Sequence, residues 1–161
     1  MKLYLIRHGI ALDPRNDLPD EQRPLTPQGQ AKTQKVAQRL HQLGLQFDRI
    51  LTSPLVRAQQ TAQILLEQGL SDRLETLEAL APGGNIQDFC QSPMTPDTVL
   101  ALVGHQPDLG CWAEQFLWGQ SGDKFLLKKA GIIGIQFPES IKLSLGQGQC
   151  FLLTSPKWLL L

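Results

Sequence analysis

The sequence predicts an α/β protein, a three-layer α/β/α arrangement whose mainly parallel central sheet has one antiparallel edge strand. Two observations predict it. Through the first two thirds of the chain, short apolar runs alternate with longer stretches of helical periodicity, the mark of βα units. The last two apolar runs, residues 131–137 and 149–154, are joined without a helix through a Gly-rich turn near Gly146 and Gly148, which makes one edge antiparallel. With 161 residues, the chain is sized for a single domain, residues 1–161.

Each element has its own signal. Residues 3–6 form an apolar run at the start of the chain and read as a buried strand. Residues 13–24 are polar and rich in proline, a long loop of the kind that carries function. Thr26-Pro27 opens a helix, with Thr as cap and Pro in the first turn; Ala31, Val36, Ala37, Leu40 and Leu43 form its apolar stripe and Gly44 ends it. Residues 47–52 read as the second strand. Ser53 is expected to cap the next helix, whose apolar side is Ala58, Thr61, Ala62, Leu65 and Leu66, ending near Gly69. A short helix is expected over 86–90 and a third strand over 98–103. Leu109, Trp112, Ala113, Phe116 and Leu117 then repeat as one face of an amphipathic helix.

Composition excludes several classes of function. Fifteen Lys and Arg balance fifteen Asp and Glu, so bulk attraction to nucleic acid or an anionic membrane has no support. No apolar run approaches the roughly 20 residues that cross a bilayer. Lys2 and Arg7 leave no room for a signal-peptide core, which points to the cytoplasm. Leu159, Leu160 and Leu161 read as a tail docked on the fold. Cys90, Cys111 and Cys150 are odd in number, far apart and without His at metal-ligand spacing, so they read as reduced, apolar residues. No cysteine has an arginine six residues on, and there is no phosphate-binding Gly-x-x-x-x-Gly-Lys loop or Gly-x-Ser-x-Gly elbow. His41 reads as a solvated helix residue. No metal site and no cofactor are expected.

The chemistry stands at the strand ends, where open parallel sheets bind ligands. The first strand ends in Arg7-His8-Gly9, the second in Ser53-Pro54 with Arg57 one turn into the next helix, and the third in Gly104-His105-Gln106-Pro107. Singly, Arg57 would be a surface residue and His105 a helix cap. Together they bring two arginines and two histidines to one sheet edge. Paired guanidiniums make a fork for phosphate or carboxylate, and a neutral imidazole is a competent nucleophile toward phosphorus. Gly9 permits close backbone approach and offers a carbonyl that could fix the His8 tautomer.

These residues fall in four ordered motifs: Leu5-Ile6-Arg7-His8-Gly9; Pro24-Leu25-Thr26-Pro27-Gln28-Gly29; Ser53-Pro54-Leu55-Val56-Arg57-Ala58; and Gly104-His105. Together they resemble the histidine phosphatase superfamily, and Val103-Gly104-His105-Gln106-Pro107-Asp108-Leu109 in so short a chain looks most like its SixA branch of phosphohistidine phosphatases. The resemblance implies that His8 attacks phosphorus and that Arg7, Arg57 and His105 hold the phosphoryl oxygens. It implies an acidic residue that protonates the leaving group, matched here by Glu78, with Glu75 a near neighbour.

The chain departs from the mutase branch. Ile10, Ala11, Leu12 and Asp13 follow the Arg-His-Gly signature, where mutases carry Thr and Asn, and only about twenty residues separate Glu78 from Thr98. An open site is therefore expected, suited to phosphohistidine on a protein such as a histidine phosphotransfer domain. Two other readings stand: a phosphomonoesterase for small metabolites, and a non-catalytic phosphate-binding module, which would not need His8. Arg15 or Arg23 could widen the positive field of the pocket or lie on the surface. Trp112, Phe116 and Trp118 could include an interface patch, although the first two fit the buried stripe.

Overall fold

The computed structural model describes residues 1–14, 18–91, 95, 97–138 and 143–161. Six strands make one sheet: β1 (Lys2–Arg7), β2 (Arg49–Thr52), β3 (Leu74–Thr76), β4 (Val99–Gly104), β5 (Ile132–Gln136) and β6 (Gln149–Thr154), in the order β3-β2-β4-β1-β5-β6. The first four in that order are parallel. β5 is antiparallel to β1, and β6 is antiparallel to β5.

The edge strand β6 is paired antiparallel, as expected, and its neighbour β5 is the strand that runs against the parallel set. The cause is local. The segment before β5 is tied to the end of β1, where the Arg7 N–H donates to the Gly131 carbonyl. The chain therefore enters β5 at the end of the sheet where the parallel strands finish, and must run back.

Alternation along the strands divides the core into two layers. Leu3 and Leu5 of β1 join Leu100, Leu102, Ile133 and Ile135 on one face, beneath α3 (Ile86–Cys90) and α4 (Asp108–Trp118). Tyr4 and Ile6 join Ile50, Ala101, Val103 and Ile132 on the other, beneath α1 (Pro27–Gln42) and α2 (Val56–Glu67). Thr26 caps α1 by accepting the Gly29 N–H, and Gly44 leaves the helix at φ 77°. A last short helix, α5 (Pro156–Leu159), docks the end of the chain: Leu159 packs against the second layer, while Leu160 and Leu161 are exposed. No helix of the described residues is long and apolar enough to cross a membrane.

Two local expectations are corrected. Ser53 does not cap α2, whose cap position is Leu55; its hydroxyl instead accepts the Leu55 N–H and meets His105. The three-residue β3 had no sequence signal, because only Leu74 of its residues is even half-buried and the run is too short for a period.

Candidate active site

β1 and β4 lie side by side in register, pairing Arg7 with Gly104, so His8 and His105 leave neighbouring strand ends together. Their rings stand 5.1 Å apart, and both are nearly buried. The second helix adds Arg57, only 4% exposed.

Packing around Gly9 holds this floor in place. A Cβ there would lie 2.4 Å from the Thr33 hydroxyl, so α1 can approach only a glycine. The Gly9 N–H donates to Thr61 Oγ1 of α2, and that hydroxyl donates to the Arg57 carbonyl. The Gly9 carbonyl lies 2.7 Å from His8 Nδ1. A carbonyl only accepts, so Nδ1 carries the proton and the lone pair of the neutral ring is on Nε2. His105 meets a hydroxyl instead of a carbonyl. Ser53 Oγ accepts the Leu55 N–H and lies 2.8 Å from His105 Nε2, where the hydroxyl can donate to one tautomer of the ring or accept from the other.

Burial sets the charge state. Desolvation pushes His8 down to about 3, opposed by the Gly9 carbonyl and assisted by His105, Arg57 and Arg7. His105 falls to about 4, again first through desolvation and then through Arg57. Both imidazoles are neutral near pH 7.

What the site lacks is acceptors. Among the described residues, Arg7 Nε, Arg57 Nε and His105 Nδ1 are buried with no hydrogen-bond partner, and the other such atom is Thr33 Oγ1 beside Gly9. Buried donors without partners are costly, and the two guanidinium Nε groups belong to the arginines whose charge acts on the His8 imidazole. An oxyanion with several acceptor oxygens satisfies that arrangement.

A second set of groups holds the arginines. Arg7 Nη1 donates to the Leu127 carbonyl at 2.6 Å. Arg57 Nη1 donates to the Asp20 carbonyl at 2.6 Å and its Nη2 to Asp20 Oδ2 at 2.9 Å. Arg23 donates through Nε and Nη2 to the other carboxylate oxygen, Oδ1, and through Nη1 to the Leu12 carbonyl. Arg23 therefore belongs to the rim of the site, whereas Arg15 lies outside the described residues. Glu78 opens a 3-10 turn just after β3, at the same end of the sheet, with its side chain exposed and with no hydrogen bond or ion pair to the four central residues. Glu75 pairs instead with Arg49, at 3.6 Å.

Sequence reasoning missed the residues that support this centre. Gln106 Nε2 donates to the Phe125 carbonyl and its Oε1 accepts from Leu127 N, clamping the segment that receives Arg7. Glu114 is 1% exposed and accepts the N–H groups of Gly122, Lys124 and Phe125. These amides, Gly122 foremost, hold its carboxyl down at about 2. The local pattern does not mark it, since Glu114 lies outside the apolar stripe of Leu109, Trp112, Ala113, Phe116 and Leu117. Trp112 and Phe116 are buried, while Trp118 is exposed and stacks on Phe125. His41 is exposed, as expected. No cluster of three or more His, Cys, Asp or Glu that could hold a metal is found among the described residues.

The carboxyl edge of this α/β sheet gathers two arginines and two neutral histidines, a set of side chains suited to an oxyanion such as a phosphoryl group. The chain belongs to the histidine phosphatase superfamily: the model of its branch 1 matches residues 3–81. Phosphatase-type hydrolysis is the activity class which that membership supports. An uncharacterised protein of Picosynechococcus is 49% identical over 99% of both chains. Among solved structures, the protein histidine phosphatase SixA complexed with tungstate superposes with a TM-score of 0.81 at 24% identity, over 99% of both chains. A putative α-ribazole-5'-P phosphatase from Escherichia coli superposes at 0.69 with 20% identity, over 97% of this chain and 98% of that one.

Proposed function

We propose that this single domain is a metal-independent phosphatase that removes phosphoryl groups from phosphohistidine on a protein, through a covalent phosphohistidine on His8. One observation carries the reading: the Nε2 lone pair of neutral His8 lies in the field of Arg7 and Arg57, each with a buried Nε that has no hydrogen-bond partner, and beside His105. His8 Nε2 attacks phosphorus and the bond from phosphorus to the leaving group breaks. Arg7, Arg57 and His105 hold the phosphoryl oxygens as charge moves between them. Water then attacks phosphorus and returns His8 to its neutral form, with inorganic phosphate as product. Glu78 is assigned the protonation of a leaving oxygen where the substrate has one.

The choice of phosphohistidine rests on chemistry. An N-phosphoryl imidazole whose second nitrogen is protonated leaves as neutral imidazole and needs little acid help, and Glu78 stands exposed and uncoupled from the central four. The fold likeness to a protein histidine phosphatase, at a TM-score of 0.81 against 0.69 for the ribazole phosphatase, is in keeping with this reading. A phosphotransfer domain in the cytoplasm is the partner proposed. The likeness to a ribazole phosphatase favours the second reading, a small-metabolite phosphomonoesterase.

The test is phosphate release from a phosphohistidine-bearing phosphotransfer domain, in chelator, by the wild type and by His8→Ala. The expected outcome is release by the wild type and a loss of at least about 10³-fold in the variant. Release from small phosphate esters only would install the second reading. Activity surviving in His8→Ala would remove His8 as nucleophile.

A further inference from the structure

A carboxylate inside a phosphate site is electrostatically adverse to the substrate it surrounds. Asp20 is such a group. It sits directly on Arg57, through both Oδ2 and its own carbonyl, and takes Arg23 on Oδ1. Its side chain is 54% exposed, whereas His8 is 7% exposed. Asp20 thus stands at the exposed side of Arg57, and its charge reaches the buried centre at His105. Arg57 Nε remains without a partner while Asp20 occupies both terminal nitrogens, so the carboxylate does not have to leave for the arginine to meet a phosphoryl oxygen.

We propose that Asp20 is a specificity-determining residue, whose carboxylate provides the counter-charge for a cationic leaving group and so favours protonated phosphoramidates over phosphomonoesters. This rests on the phosphatase reading above and names how it selects its substrate. In the substrate, the imidazole nitrogen that is not bonded to phosphorus carries a proton and the ring a positive charge. As His8 Nε2 forms its bond to phosphorus, the electron pair of the breaking P–N bond returns to the ring, which leaves as neutral imidazole and keeps that proton. Asp20 accepts a hydrogen bond from this N–H in the ground state and through the transfer, and no proton has to come from the enzyme. The two arginines lower the affinity of the Asp20 carboxyl for protons, Arg23 more than Arg57, so it stays ionised in the working range. An ester of an alcohol or phenol has no cation for Asp20 to meet and experiences only its negative charge.

The experiment compares kcat/KM for N-phosphorylimidazole and for p-nitrophenyl phosphate in the wild type, Asp20→Asn and Asp20→Glu. Asn preserves an acceptor for Arg57 and removes the charge. The expected result is a loss of roughly three- to tenfold on phosphorylimidazole in Asp20→Asn, the scale of one half-exposed charged hydrogen bond. The ratio of the two kcat/KM values is expected to shift toward the aryl ester, and Asp20→Glu to recover part of the preference. A parallel fall on both substrates would make Asp20 only a brace for Arg57 and overturn the proposal. A parallel rise would make it only a plug competing with the phosphoryl group, and would overturn it equally. Failure of the wild type on both substrates would instead strike the phosphatase reading itself.

Discussion

Arg57 and Glu114 are both charged, and both are almost entirely withdrawn from water, yet the molecule treats them in opposite ways. Glu114 is saturated: its two oxygens accept the N–H groups of the segment 122–125, with a further hydrogen bond from the Ser121 hydroxyl at 3.3 Å. Arg57, with Arg7 and His105, keeps a buried nitrogen that has nothing to donate to or accept from. A buried charge that is fully satisfied is a fastener, whereas buried donors without a protein acceptor are suited to meeting an anion. The two regions are also joined. Glu114 and Gln106 pin the segment whose Leu127 carbonyl receives Arg7, so the fastener holds one side of the site.

Breaking the fastener is expected to have the largest effect on folding. Glu114→Gln replaces an acceptor oxygen with an NH2 group that faces backbone donors, and should cost about 2–4 kcal/mol of stability. Urea unfolding measures it, and a loss under about 0.5 kcal/mol would mean that the segment is held by other contacts. The variant should also raise KM through Arg7.

The open site should respond in the other way. Arg57→Lys keeps a charge and loses the fork, so tungstate or phosphate binding should weaken about 10- to 100-fold, while stability without ligand changes little. Calorimetric titration together with a melt in the absence of anion reads both. A large loss of stability with unchanged anion binding would reverse the roles assigned to the two regions.

The smallest effect separates the regions by pH. His8 and His105 are held neutral, with folded values of about 3 and 4 below the ordinary 6.5. The unfolded chain therefore binds more protons as pH falls below 6.5, and stability declines by up to about 1.4 kcal/mol per pH unit for each ring. Glu114 works in a lower window: its contribution is whole above the ordinary 4.5 and is lost as pH falls toward about 2. Chemical denaturation between pH 7 and 5 should be less pH-dependent in His105→Asn and unaltered in slope in Glu114→Gln. Equal slopes in all three proteins would assign the acid loss to other groups.

Much of this architecture was legible from local pattern. The cap at Thr26, the stop at Gly44 and the amphipathic stripe of α4 each depend on a few neighbouring residues. Four of the expected site residues, Arg7, His8, Arg57 and His105, are brought together because each ends or follows a strand of one parallel sheet. Glu78 reaches the right end of the sheet without joining them. Ser53 was misread, since a serine before a helix has the same local signature whether it caps the helix or turns toward a distant imidazole.

By itself, then, the sequence determined the elements and the edge on which the chemistry stands, because strand period, helix period and turn residues act over a handful of positions. Only the tertiary structure decided the rest. It set β5 as the reversed strand, gave Arg57 to an Asp20 lying 37 residues away, enclosed Glu114 in backbone amides, and left three buried nitrogens at the site without a hydrogen-bond partner. Those outcomes depend on which backbone groups arrive beside a buried charge from remote parts of the chain, and satisfaction of a polar atom is a property of the packed neighbourhood rather than of the residues on either side of it.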